Sequence, residues 1–200
     1  MTSPSELTVY IDVKSPYAYL AIAPTRALAA EFDIAPVWKP YTLEIPDFLG
    51  AVETRNEHQW RRVRYSYMDA RRLANQVGLT VRGPQKIFDS SIAHIGMLRA
   101  QDQGRFEAYI DRVFERFWKR DLEIEDPAVI ASVLEEAGVP AADFAGWAED
   151  EGRRRHDAIQ REAEDLGVFG VPSYLYREEL FWGGERLGML RDRIEETLAR

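Results

Sequence analysis

The 200-residue sequence contains no cysteine, and this absence excludes several classes of chemistry. Thiol–disulfide exchange needs thiolates of the protein itself, so the chain is not an oxidoreductase of that kind. There is likewise no disulfide framework and no thiolate metal site. Histidine is scarce as well, with three residues, and no histidine–carboxylate spacing suggests a metal.

The chain is also short of basic residues and of long apolar runs. Its 26 Lys and Arg residues against 34 Asp and Glu residues give a formal net charge of −8, which disfavours nucleic acid as the main partner. No apolar run reaches the roughly 20 residues that span a bilayer, so no membrane association is expected. The first seven residues lack a basic segment followed by an apolar one, so no secretory signal is visible and a cytoplasmic location is expected.

What is present is the composition of an ordinary globular protein, with 46% hydrophobic residues, enough for one domain or a domain with an insertion. Residues 7–13 alternate with a period of two and predict a strand. A helix is expected from Ser15 towards Phe32, interrupted or kinked near Pro24, followed by a strand over 34–38. This order predicts a βαβ unit with parallel strands and a right-handed crossover.

The middle of the sequence has helical periodicity, and its end returns to β-structure. Helices are expected over 56–77, 90–100 and 106–119, from Asp126 to Gly138, and over 144–166 in two pieces around Gly152. A hairpin over 173–176 and 180–182 and a helix over 185–198 follow. The order predicts a thioredoxin-like α/β fold split by a large all-helical insertion, with 1–50 and 165–200 in one domain and 51–164 in the other.

Ser15 lies where the first strand meets the first helix. It is a good N-cap with Pro16 at the first helical position, a common pairing without functional content. The same position also suits a hydroxyl that contacts a bound anion, because helix N-termini favour anions. No G-x-S-x-G elbow or Ser-His-Asp arrangement supports Ser15 as an acyl-transfer nucleophile, so a hydrolase is not expected.

Three motifs in order give the chain its strongest resemblance. These are SPYAYL from Ser15, GVFGVPS from Gly167 and FWGGERL from Phe181. Pro172 in the second motif is either an ordinary trans proline, the more frequent case for one X-Pro bond, or a cis proline, which its setting after a helix and before a hairpin favours. Together with Y-x-x-x-D-x-x-R-x-A from Tyr65, the three motifs resemble the 2-hydroxychromene-2-carboxylate isomerase family. Its relatives are the kappa-class glutathione transferases and the DsbA-like branch of thioredoxins, and the resemblance covers nearly the whole chain.

The resemblance implies glutathione as the cofactor and a role for several residues. Ser15 matches the catalytic serine that hydrogen-bonds the glutathione sulfur and favours its thiolate. Ala18 stands where many relatives have a second hydroxyl, and Asn56 matches a substrate-contacting asparagine. Val171 and Pro172 match the family positions that bind the cysteinyl part of glutathione. The positions that bind its γ-glutamyl end are matched by Trp182, Gly183, Gly184 and Glu185. Glu185 stands where the family usually has aspartate.

The resemblance implies cis–trans isomerisation of an intermediate of aromatic degradation. A thiolate adds to a conjugated C=C bond, rotation follows, and the thiolate leaves. Without the return step the same thiolate makes a kappa-like glutathione transferase, and Ser15 serves both reactions. A non-catalytic DsbA-like module that binds a thiol or peptide is the alternative from another class. The expected substrate is an aromatic or conjugated carboxylate, and the resemblance also suggests a homodimer, which no residue pattern fixes.

Other polar and aromatic residues admit a structural interpretation beside a functional one. Five arginines on the helix after Asn56 are expected to form a solvated face or, alternatively, to recognise carboxylates. His94 is expected to be a packed helix residue, and the run from Arg153 to His156 is expected at the surface. Four aromatic residues are expected either in the core or around an aromatic substrate: Tyr17, Trp38, Tyr41 and Trp182.

Overall fold

A computed structural model describes residues 7–46 and 51–199. Its sheet has four strands in the order β2-β1-β3-β4. The central strand β1 is parallel to β2 and antiparallel to β3, and β3 is antiparallel to β4. The strands are β1 (Leu7–Ile11), β2 (Val37–Pro40), β3 (Ser173–Tyr176) and β4 (Glu179–Trp182).

The helices fall into two sets along the chain. Helix α1 (Pro16–Glu31) connects β1 to β2, and α8 (Leu187–Leu198) follows β4 after a 3₁₀ turn over Gly184–Arg186. Between β2 and β3 lie the helices of the expected insertion, preceded by a 3₁₀ turn over Val52–Thr54. They are α2 (Glu57–Gln76), α3 (Ser91–Asp102), α4 (Phe106–Lys119), α5 (Pro127–Glu136), α6 (Phe144–Glu149) and α7 (Glu151–Asp165). The arrangement is the expected thioredoxin-like fold with an all-helical insertion. The division into 1–50 with 165–200 and 51–164 stays a prediction, and the residues it includes at 1–6, 47–50 and 200 lie outside the described ones.

The first strand begins where its alternation predicts, but it is buried on both faces. All five residues of β1 are buried, and Thr8, the most exposed of them, is only 7% exposed. The second strand begins three residues later than expected. After α1 ends, the Ile34 N–H donates to the Ala29 carbonyl and Asp33 has a positive φ, so the chain is still turning where a strand was expected.

Two further expectations concern breaks within predicted helices. Helix α1 continues through Pro24, so the expected interruption there is wrong, and the kink given as its alternative stays a prediction. The predicted break of the 144–166 helix occurs at Asp150, between α6 and α7, two residues before Gly152. A Cβ at Gly152 would lie 2.5 Å from Cγ2 of Ile95, so glycine there lets α7 approach α3 closely.

One continuous hydrophobic core joins the sheet to the helical insertion. In the insertion, Tyr109, Phe114, Trp118 and Phe144 are fully buried, and in the sheet Tyr10, Tyr174 and Tyr176 are. Among the residues that the structure describes, no helix has the length and apolar character needed to cross a membrane.

Candidate active site

Ser15 is the N-cap of α1 and lies against the loop that precedes β3. Its Oγ accepts a hydrogen bond from the Ala18 N–H at 3.2 Å and donates to the Val171 carbonyl at 3.4 Å. The expected N-cap is therefore confirmed, and the side chain is buried. The Val171-Pro172 peptide bond is cis, the alternative that its setting favoured. Two motifs 156 residues apart in sequence thus meet at one hydroxyl.

The first turn of α1 presents a positive electrostatic environment to any anion near Ser15. Pro16 occupies the first helical position, and no acidic residue lies in the first turn. The helix dipole places a partial positive charge at this end, and no carboxylate of the first turn neutralises it. Helix N-termini in general lower the pKa of a thiol placed against them.

A cavity of about 600 Å³, here called the cis-proline cavity, is lined by Tyr17 and Val171, two neighbours of Ser15, but Ser15 itself is not among its lining residues. The structure brings six of the predicted site residues to its wall: Val171, Pro172, Trp182, Gly183, Gly184 and Glu185. Tyr17 and Asp69 line it too, and the Tyr17 hydroxyl donates to Asp69 Oδ2 at 3.1 Å. Burial, followed by the hydrogen bond and charge of Asp69, raises the pKa of Tyr17 to about 12, so this phenol stays protonated.

The hairpin side of this cavity depends on two glycines. The Gly183 N–H donates to the Pro172 carbonyl at 2.9 Å, and Gly183 has a φ of +99°, a conformation that L side chains rarely adopt. A Cβ at Gly170 would lie 2.6 Å from Nε1 of Trp182, so glycine there leaves room for the indole. Trp182 is half-exposed and packs against Phe169, with ring centroids 4.8 Å apart.

A second cavity, of about 210 Å³ and here called the aromatic cavity, is lined mainly by the insertion. Trp60, Val63 and Tyr67 of α2 form one part of its wall, and Phe88 forms another. Lys14, the residue before Ser15, also lines it. In sequence, Ser15 therefore lies between Lys14, which lines the aromatic cavity, and Tyr17, which lines the cis-proline cavity.

Asn56 is placed by the structure as a helix cap. Its Oδ1 accepts a hydrogen bond from the Gln59 N–H at 2.9 Å, and the Gln59 side chain accepts one from the Asn56 N–H, which is a capping box. It lines neither the cis-proline cavity nor the aromatic cavity. The substrate contact expected for Asn56 stays a prediction, and the structure does not bring it to the other site residues.

A buried polar network, which sequence reasoning missed, lies behind this site. The Lys14 and Leu43 N–H groups donate to the Asp12 carboxylate at 2.9 and 2.8 Å. His94 Nε2 lies 3.2 Å from the Val13 nitrogen and 3.3 Å from Asp12 Oδ1, and its Nδ1 shares a hydrogen bond of 2.8 Å with Thr42 Oγ1. The Thr42 hydroxyl is also hydrogen-bonded to Nε2 of the second histidine, His156, at 2.9 Å.

The expectation that the run from Arg153 to His156 lies at the surface is wrong for His156. That side chain is buried, because it completes the network from Asp12 through His94 and Thr42. Burial, followed by the charge of His94, lowers the pKa of His156. The expectation that His94 is a packed helix residue is confirmed, and its ring is fully buried in α3.

Burial alone raises the pKa of Asp12, but opposing interactions outweigh it. The charges of His94 and Lys14, with hydrogen bonds from His94 and the Leu43 N–H, lower that pKa to about 2. Asp12 is therefore an ionised carboxylate at neutral pH, although it is completely buried.

The arginines and aromatic residues that had both a structural and a functional interpretation differ in their exposure and in the cavities they line. The five arginines of α2 are exposed and line neither cavity, in agreement with a solvated face: Arg61, Arg62, Arg64, Arg71 and Arg72. Trp38 and Tyr41 belong to the core, whereas Tyr17 and Trp182 line the cis-proline cavity. Within residues 7–46 and 51–199, no cluster of three or more potential metal ligands is found.

A family model described as a DSBA-like thioredoxin domain matches residues 6–195. The chain belongs to this family. A 2-hydroxychromene-2-carboxylate isomerase of Pseudomonas putida is 26% identical over 183 residues, which is 90% of each chain. Homologues of this name support an isomerase within the DSBA-like family.

Solved structures agree with the family assignment at the level of the fold. The structure of a 2-hydroxychromene-2-carboxylate isomerase has a TM-score of 0.80 at 24% identity and covers 96% of each chain. The cytosolic disulfide reductase DsbM of Pseudomonas aeruginosa, solved with GSH, has a TM-score of 0.61 at 19% identity. That match covers 98% of this chain and 100% of DsbM.

Proposed function

We propose that this DSBA-like protein is a glutathione-dependent cis–trans isomerase of a conjugated aromatic carboxylic acid. The observation that carries the proposal is the position of Ser15, a hydroxyl at a helix N-terminus that contacts the carbonyl before a cis-proline. The isomerase name of the relatives supports the reaction class. A DSBA-like chain without cysteine needs a thiol from outside if it is to do thiol chemistry.

Glutathione in this proposal occupies the cis-proline cavity. That cavity has the predicted backbone and hairpin positions on its wall, and about 600 Å³ is within the range of small-molecule sites. DsbM has the same fold and was solved with GSH, which supports the choice of thiol. The glutathione sulfur then lies at the N-terminus of α1, where the helix dipole and the Ser15 hydroxyl favour the thiolate.

The substrate in this proposal occupies the aromatic cavity, which is lined by Lys14, the residue before Ser15. The thiolate attacks the conjugated C=C bond, a C–S bond forms, and the π electrons move to the adjacent carbonyl oxygen. Rotation about the resulting single bond is followed by return of the electrons and cleavage of the C–S bond. The thiolate is regenerated, so glutathione acts as a cofactor and is not consumed.

Calorimetric titration with reduced glutathione, followed by product analysis, tests the proposal. We expect saturable one-site binding and isomerisation of a cis-configured arylidene pyruvate at substoichiometric glutathione. Stoichiometric accumulation of a glutathione conjugate, with no catalytic isomerisation, would make the protein a transferase and contradict the proposal. Absence of both heat and thermal stabilisation at millimolar glutathione would remove glutathione as the cofactor.

A further inference from the structure

Lys14, which directly precedes Ser15, carries an ammonium group with unused hydrogen-bonding capacity. Its side chain is 8% exposed, and its Nζ lies 3.7 Å from Asp12 Oδ2, an ion pair longer than a direct hydrogen bond. Within the described residues the structure gives this Nζ no hydrogen bond. Lys14 Nζ is not among the buried side-chain atoms that lack a partner, so it keeps contact with solvent, and its three N–H donors are available to a ligand.

The Asp12 carboxylate balances the charge of Lys14 without accepting a hydrogen bond from the Lys14 ammonium. The Asp12 carboxylate accepts hydrogen bonds from the backbone N–H groups of Lys14 and Leu43, and His94 Nε2 lies 3.3 Å from its other face. Asp12 is therefore held mainly by groups other than the Lys14 ammonium. The Lys14 ammonium therefore has a negative charge nearby, while its N–H groups remain available to another acceptor.

The cavities around Lys14 differ in the charges of their walls. One, of about 530 Å³, has Lys14 and Arg153 on its wall beside four carboxylates, and this excess of negative charge disfavours an anion: Glu44, Asp89, Glu125 and Asp157. The described residues lining the aromatic cavity include Lys14, Arg55 and Lys86 and no carboxylate. Lys14 is not among the residues that line the cis-proline cavity. An anion paired with Lys14 is therefore best accommodated in the aromatic cavity, away from the cavity assigned to glutathione.

We propose that Lys14 is a specificity-determining residue that pairs with the carboxylate of the reacting acid in the aromatic cavity. This inference rests on the proposed function, because it assumes that the acid reacts beside Ser15. Pairing neutralises a carboxylate that would otherwise repel the incoming thiolate. It also fixes the acid beside the N-terminus of α1, where the thiolate forms. The pairing involves no proton transfer to or from Lys14, so the electron and proton balance of the isomerisation is unchanged.

Two conjugated substrates that differ in their carboxylate test this role. Benzylidenepyruvate carries the carboxylate, and the neutral ketone benzylideneacetone lacks it. We expect Lys14→Met to lower kcat/KM for glutathione addition to benzylidenepyruvate about 100-fold. We expect the same variant to leave addition to benzylideneacetone and the affinity for glutathione nearly unchanged. Lys14→Arg retains the charge and is expected to recover most of the activity with the acid.

Lys39→Met is the matched control, because Lys39 is also partly buried and ion-paired, with Glu162, but lines neither cavity. It is expected to leave both substrates unaffected. Equal losses with the acid and the ketone in Lys14→Met would mean that Lys14 acts on the thiolate, and would overturn the proposal. If Lys14→Met fails to fold by circular dichroism, Lys14→Gln replaces it in the same comparison.

A second measurement does not depend on glutathione chemistry. Binding of phenylbutyrate and of its uncharged amide is followed by tryptophan fluorescence without glutathione, since Trp60 lines the aromatic cavity. We expect the wild-type protein to prefer the acid and Lys14→Met to lose this preference. Equal binding of acid and amide to the wild-type protein, or no binding, would overturn the Lys14 proposal even if glutathione binds. Failure of glutathione binding with the acid preference intact would instead contradict only the proposed isomerase function.

Discussion

The cis-proline cavity and the aromatic cavity are built in different ways. The cis-proline cavity is formed by the start of α1, the loop before β3 and the turn after β4, together with part of α2. The aromatic cavity takes Lys14 from the end of β1 but most of its wall from the insertion. The first cavity therefore depends on short motifs with strict backbone geometry, whereas the second depends on side chains from segments distant in sequence.

This difference suggests a division of labour between the two parts of the fold. Backbone geometry at a cis-proline and a Gly-Gly turn suits a ligand of constant structure, such as a cofactor. Side chains on separate helices are replaced one at a time, which suits a substrate that varies between relatives. Substitutions that affect one cavity and spare the other test this comparison.

The largest loss of activity is expected from a substitution at Ser15, because the proposed mechanism places the thiolate at its hydroxyl. Ser15→Ala removes the hydroxyl that caps α1 and that contacts the thiolate in the proposed mechanism. We expect about a 100-fold loss of kcat, by analogy with the loss of one donor to a developing anion. The free energy of unfolding is expected to fall by about 1 kcal/mol, as for a lost N-cap.

Asp126→Ala is the control for the capping contribution. Asp126 caps α5 by accepting a hydrogen bond from the Ala128 N–H at 2.8 Å, and it lines neither cavity. Steady-state kinetics and urea denaturation of both variants separate the two roles. Equal turnover in the two variants would mean that Ser15 is only a cap.

The next effect tests the independence of the cis-proline cavity. In Gly170→Ala the new Cβ displaces the Trp182 indole, because the two would otherwise be 2.6 Å apart. We expect the glutathione affinity to fall about tenfold, with little change in phenylbutyrate binding. Gly146→Ala is the control, since a Cβ there meets no atom within 4 Å. An equal loss of both ligands in Gly170→Ala would show that the cavities are coupled.

The converse test removes an aromatic wall from the other cavity. Trp60→Ala is expected to weaken phenylbutyrate binding about tenfold while glutathione binding stays close to that of the wild-type protein. Because this variant lacks one fluorophore, calorimetry measures both ligands. Trp147→Ala, which alters a partly buried tryptophan outside both cavities, should leave both ligands unaffected. Phenylbutyrate binding as tight in Trp60→Ala as in the wild-type protein would mean that the acid does not bind in the aromatic cavity.

A smaller effect decides between the two roles of Asn56. Asn56→Ala removes the capping box of α2, and we expect a loss of about 1 kcal/mol of stability with turnover nearly unchanged. Asn56→Asp retains the cap and should keep the wild-type stability. A large loss of turnover in both variants would favour the substrate contact suggested by the family resemblance.

The smallest effect concerns pH and the buried network. Burial lowers the pKa of His156 below its usual 6.5, so the unfolded chain binds this proton at a higher pH than the folded one. Stability should therefore fall as the pH drops below about 6.5, where the unfolded histidine becomes protonated first. Thermal denaturation from pH 7.5 to pH 5.5 should show this slope in wild type and in His58→Gln, and a weaker slope in His156→Gln. An unchanged slope in His156→Gln would exclude His156 as its source.

The sequence predicted the parts of the site that depend on local backbone chemistry. Ser15 before a proline predicted the cap, whereas Pro172 at a strand entrance left a trans bond open, and its setting together with the family resemblance favoured the cis bond that the structure has. The helix order identified the insertion, although β2 was placed three residues early because the end of α1 continues to turn through Asp33.

The sequence did not predict the residues whose role depends on distant partners. His156 lies in a run of charged residues, and only the spacing of Gly152, His156 and Ala163 on one face of α7 marks its burial. Its partner Thr42 is 114 residues away, and nothing in either segment indicates the contact. Lys14 had one available signal, its position next to Ser15 at the end of β1.

The most direct test of the central claim is the pKa of the glutathione thiol when it is bound to the protein. Ultraviolet absorbance of the thiolate, measured against pH in the wild-type protein and in Ser15→Ala, gives this value. The account predicts a pKa below that of free glutathione in the wild-type protein and a rise of about one unit or more in Ser15→Ala. A bound thiol that titrates like free glutathione, or equally in both proteins, would contradict it.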